Sequence, residues 1–178
     1  MEITITEALA ELKTISKRVE KKEQFVSRYL LRQEALKDPL EKDGGSFNAI
    51  QEEQQAIHDL QERKITIRRA IQEANMEEYI VLGKTKRTIA DWLVWRRDVA
   101  PYTKNFFDVL SSQIERTRTE ATRKGLTVVS GEASKPTDIV VNLNEKILSE
   151  KIEALEEVLG TLDGQLSLKN ATILIDVK

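Results

Sequence analysis

Leu148, Ile152, Leu155, Leu159, Leu162 and Leu166 recur at steps of three and four residues within a stretch rich in glutamate, lysine and small polar side chains. That spacing draws one narrow apolar stripe along an α-helix, and the stripe must be covered by something. Three further seams share the period. One runs through Ile5, Leu9, Leu12, Ile15, Val19, Val26 and Tyr29 or Leu30, and a second through Ile50, Ile57, Leu60, Ile67, Ile71 and Ala74. The third passes Ile89, Leu93, Arg96, Ala100, Thr103, Phe107, Leu110 and Ile114. Charged residues make up 33% of the 178 and aromatics only 5%, which suits long helices with thin seams better than a thick core.

Local signals set the boundaries. Thr4 and Glu7 stand at capping-box spacing and open the first helix, which must stop before Pro39 because the residue before proline is pushed out of helical space. "DPLEKDGGS" forms a turn, and the second helix runs roughly from Phe47 to Ala74. Two helices of about 40–48 Å joined by a short loop make an αα-hairpin. Tyr79–Leu82 reads as a short strand, Gly83-Lys84 begins a turn, and Thr88 and Asp91 open the third helix. Pro101 predicts a kink or break near Val99–Pro101, with Asp98 capping a restarted segment, and Lys124-Gly125 ends that helix. Leu126–Val129 and Asp138–Val141 read as a β-hairpin around a polar loop. Asn142 or Asn144 caps the fourth helix, which Gly160 and Gly164 weaken by about 1 kcal/mol each. Thr172–Val177 closes the chain as a strand.

The fold predicted is α+β and predominantly α. A long antiparallel helical hairpin is packed with two further long helices, with a small β-sheet near the termini and a β-hairpin between helices 3 and 4. Residues 1–178 form a single domain, of which 1–75 are the hairpin arm and 76–178 a helix–β-hairpin–helix–strand part. The small sheet is expected to combine residues 2–5, 78–83 and 172–177. Ile173, Ile175 and Val177 share one face of the last strand, with Leu174 opposite. That strand either closes the domain's own sheet or also completes a sheet between subunits.

Chemistry-bearing patterns are sparse. The absence of cysteine excludes disulfides, thiolate metal sites and cysteine nucleophiles, and His58 is the one histidine. Carboxylates are spread along helical faces beside lysines, and "GKTKRT" lacks the upstream glycine of a phosphate loop. We therefore expect no enzyme activity, no cofactor and no metal. Lysine and arginine number 28 against 30 acidic residues, so no global field steers the chain to nucleic acid or membranes. Basic clusters such as "ERKITIRRA" and "ERTRTEATRK" keep nucleic-acid binding as an alternative, although glutamates punctuate nearly all of them. No apolar run reaches membrane-spanning length and no signal-peptide core begins the chain, so a cytoplasmic or virion location is expected. Trp92, Trp95, Phe106 and Phe107 crowd into sixteen residues. They either anchor the core against helix 4 or present a patch to a partner.

"ITITEALAELKTISKRV", "IRRAIQEAN", "GKTKRTIADWLVWRRDV" and "LEEVLGTLDGQLSLKNATI" resemble, in that order, a family of uncharacterised small bacterial and phage proteins, some labelled septicolysin-like. The resemblance implies a helical bundle without known catalytic residues. The resulting expectation is a non-enzymatic structural or assembly protein, a homo-oligomer or a subunit of a larger complex such as a phage virion. Its candidate interface comprises Trp92, Trp95, Phe106, Phe107, Ile173, Leu174, Ile175 and Val177.

Overall fold

A computed structural model describes residues 2–131 and 135–177. The fold is α+β and predominantly α. In chain order the elements are β1 (Glu2–Thr4), α1 (Ile5–Tyr29), a 3₁₀ turn (Glu41–Asp43), α2 (Ser46–Glu77), β2 (Tyr79–Leu82), β3 (Thr85–Thr88), α3 (Ile89–Val94), a π turn (Trp95–Val99), α4 (Ala100–Arg123), β4 (Val128–Ser130), β5 (Ile139–Val141), α5 (Glu145–Thr172) and β6 (Leu174–Asp176).

Expected as one domain, the chain divides instead into two compact units. One comprises residues 1–77 with 167–178, and the other residues 78–166. The last residues leave the 76–178 part because β6 pairs with β1.

In the first unit α1 and α2 form the expected antiparallel arm. The capping box opens α1: Thr4 Oγ1 accepts from the Glu7 amide at 3.2 Å, and Glu7 Oε2 accepts from the Thr4 amide at 2.8 Å. The bonds that Glu7 Oε2 accepts from the Thr4 amide and the Thr4 hydroxyl hold the Glu7 carboxyl below its usual range. Ile5, Ala8, Leu12 and Ile15 of α1, Ile67 and Ile71 of α2, and Ile175 and Val177 make one buried cluster. Ala70 and Ala74 pack against it, and such small side chains let helices approach closely. β6 runs antiparallel to β1 with Ile3 opposite Ile175. Arg63 ties the corner together, donating from Nε to Glu11 Oε1 at 2.9 Å and from Nη1 to the Val177 carbonyl at 3.3 Å. The turn of the arm is clasped by Asp38, whose carboxylate accepts from the amides of Leu40 and Ser46 and from the Ser46 hydroxyl. The Ser46 bonds, with that from Leu40, hold Asp38 below the usual carboxylate range.

The sheet near the termini has two strands, not three. Residues 79–82 pair with 85–88, through a two-residue turn in which Gly83 takes φ 56°. In the second unit, β2–β3 leads into one continuous helical rod made of α3, the π turn and α4. Thr88 caps it, accepting from the Asp91 amide at 3.0 Å. Pro101 lacks an amide and its ring crowds the carbonyl four residues back. The helix answers by widening: the Ala100 amide reaches the Trp95 carbonyl, five residues away, instead of breaking. Asp98 does not cap a restarted segment, because Arg97 holds its carboxylate through two 2.8 Å bonds. The rod ends as predicted, with Gly125 at φ 67° and the Leu126 amide donating back to Ala121.

β4 and β5 are a correction. They pair in parallel, Val128 opposite Ile139, and are not a hairpin. Gly131 (φ 115°) follows β4, and a turn in which the Asp138 amide donates to the Lys135 carbonyl precedes β5. Glu132, Ala133 and Ser134 of the expected polar loop lie outside the described residues. Asn144 then caps α5, its Oδ1 accepting from the Ile147 amide. Within this unit α5 runs antiparallel to the rod, as three ion pairs record: Arg96–Asp163, Lys104–Glu156 and Arg118–Glu145.

Candidate interaction surface

Trp92 shows how the rod is anchored. It is 3% exposed, and its Nε1–H donates to the Ile80 carbonyl at 3.0 Å. Arg87 stacks over its ring at 5.0 Å, and Trp95 meets it edge-on at 5.4 Å between centroids. Trp92 is therefore an internal latch between the β2–β3 hairpin and α3, and it leaves the candidate interface. Ile175 and Val177 leave it too, since both are buried in the core of the arm. Trp95 and Phe107 are half-buried, and Ile173 is half-buried against the arm core. Phe106 and Leu174 are exposed. Of the eight expected residues, the aromatic four belong to the second unit and the C-terminal four to the first.

A further exposed row runs from the end of the π turn along α4. Ala100, Thr103, Phe107, Leu110, Ile114 and Ala121 occupy its buried and half-buried side, the side of the ion pairs to α5. Roughly a quarter turn round the helix stand Val99, Tyr102, Phe106 and Val109, which are 46%, 77%, 58% and 56% exposed. They follow one another at three, four and three residues, so they form a single stripe. Its signal was present in the sequence as a second apolar row, one residue out of step with the first; only Phe106 of the four had been singled out.

Two other surfaces stand out. Leu30, Leu31, Leu36 and Phe47 are exposed around the turn of the arm. On α2, Lys64, Arg68 and Arg69 line a shallow groove with Ile65 and Gln72. None of these three cations has an ion-pair partner among the described residues. His58 is exposed, and among the described residues no group of three histidine, aspartate or glutamate side chains is placed to hold a metal ion. No helix among them is long and apolar enough to cross a membrane.

No protein-family model matches the chain, and no curated protein matches it in sequence. Among solved structures it is similar to a functionally unknown conserved protein from Corynebacterium diphtheriae. The likeness covers 99% of this chain and 100% of that one, with a TM-score of 0.58 and 16% identity. At that identity the two share a fold.

Proposed function

We propose that this chain is a non-enzymatic structural or assembly protein that works by self-association or by docking into a larger complex, with a phage particle as one such setting. The observation that carries the reading is the exposed apolar row on α4, a helix whose other apolar side is already used. Contiguous exposed apolar patches mark interaction sites in soluble proteins. The exposed leucines and Phe47 at the turn of the arm support the same reading from the other unit. Native mass spectrometry across a dilution series tests it: concentration-dependent oligomers are expected. A monomer throughout, up to roughly 100 µM, where even weak specific contacts are populated, would remove the self-associating form of the proposal.

A second reading rests on Lys64, Arg68 and Arg69. Their groove on α2 offers three cations to a phosphate backbone, so nucleic acid is the alternative ligand. Titration against RNA and DNA at two salt concentrations separates the two. Binding that weakens steeply with salt and is lost in Arg68→Glu supports this alternative, and absence of binding at low salt ends it.

A further inference from the structure

Resting on the assembly reading, we infer that a second copy of this chain covers the α4 stripe, packed antiparallel about a two-fold axis near residue 104. The stripe has the symmetry that a two-fold partner requires. Its order is valine, aromatic, aromatic, valine, at spacings of three, four and three residues. An interface across a two-fold axis must be self-complementary, with each residue meeting its counterpart by exchange. Antiparallel pairing about residue 104 sets Val99 against Val109 of the second copy and Tyr102 against its Phe106. Small meets small at both ends, and the two aromatics meet at the centre, where interface anchors are most effective.

Charge permits this arrangement. Lys104 would repel its own copy if it faced the axis, but it bonds Glu156 of α5 at 3.0 Å and so points away from the stripe. Asp98, on the rim, is neutralised by Arg97. The area fits a reversible contact. Four side chains this exposed offer about 400 Å² per copy, comparable with the largest apolar patch of an ordinary monomer. Two such stripes bury about 800 Å², which with their polar rims reaches the low end of specific interfaces. A reversible dimer is therefore expected, not a permanent one.

The chain contains no cysteine, so engineered thiols report register without background. Val99→Cys and Val109→Cys chains are mixed in equal amounts and oxidised under mild conditions. Antiparallel pairing predicts that the 99–109 crosslink dominates. Positions 99 and 109 lie about 15 Å apart along the helix, so pairing 99 with 99 or 109 with 109 would need another register. Sedimentation measures the equilibrium: Phe106→Glu removes one hot-spot side chain from each copy and is expected to weaken the dimer at least ~30-fold. Tyr102→Ser provides a second, milder test, and circular dichroism checks that both variants fold. Phe47→Glu is expected to leave the dimer unchanged. Dominant like-with-like crosslinks overturn the inference. An oligomer that ignores Phe106→Glu and Tyr102→Ser but dissolves in Phe47→Glu also overturns it, while sustaining the assembly reading at the arm. A wild-type monomer at all concentrations overturns this inference together with self-association.

Discussion

The two units use the same raw material, paired amphipathic helices, and finish differently. In the arm the apolar faces of α1 and α2 close on each other, and β6 with the residue after it adds Ile175 and Val177 over their base. In the second unit the rod meets α5 along one side, with three ion pairs along that contact, and keeps a second apolar row that is exposed. The difference teaches where a chain of thin seams is sealed: a helix with one stripe can be sealed by one neighbour, whereas a helix with two needs two.

If that contrast holds, the heaviest effect belongs to the seal itself. Ending the chain after Thr172 removes β6 and two side chains that are almost fully buried, each worth about 1.5–3 kcal/mol, so a loss of roughly 3–6 kcal/mol is expected from denaturant melts. An unshifted midpoint would mean the arm closes without its strand. Next comes Trp92→Phe, which keeps a ring in place but removes the indole N–H bond to the Ile80 carbonyl, whose ladder pairing with Arg87 remains. About 0.5–1.5 kcal/mol should be lost, and faster amide exchange in β2 would show that the latch belongs to the second unit alone. Smaller and of opposite sign are Gly160→Ala and Gly164→Ala. A methyl group at either position of α5 meets nothing within 4 Å, so each should stabilise the helix by up to about 1 kcal/mol. Destabilisation at either site would reveal a neighbour pressed against that face.

The mildest effect is one of pH. Asp38 has its folded pKa depressed by the Ser46 and Leu40 bonds. The stability it contributes is therefore present above its unfolded value of 3.8 and is lost as pH falls through the lower folded value. Asp38→Asn should flatten that acid limb of the melting curve, with the change confined to the arm.

Local rules were readable where one residue answers one backbone group. The Thr4–Glu7 box, the Thr88 and Asn144 caps and the left-handed Gly125 all stand where the sequence placed them. Strand partners were harder. Thr85–Thr88 has no apolar alternation, so β3 was invisible beside the apolar β2 and its hairpin was mistaken for part of a larger sheet. β5 faced the same difficulty in another form, because two short apolar runs around a polar loop look alike in the sequence whether they pair parallel or antiparallel. The spacing of the tryptophans puts them side by side, but composition cannot distinguish an anchor from a docking patch; for Trp92 the donor–acceptor contact to Ile80 decides it. The α4 stripe escaped because one seam had already accounted for that helix.

The widened turn at Trp95–Val99 has one more effect on the rod. An α-helix of unbroken pitch aims its residues on a fixed schedule of about 100° each, so whatever α3 faces determines what α4 faces. Letting out one residue resets the compass. Trp92 can then be aimed at the hairpin while Lys104 reaches Glu156 of α5, without a loop between them and without giving up the stiffness of a single rod.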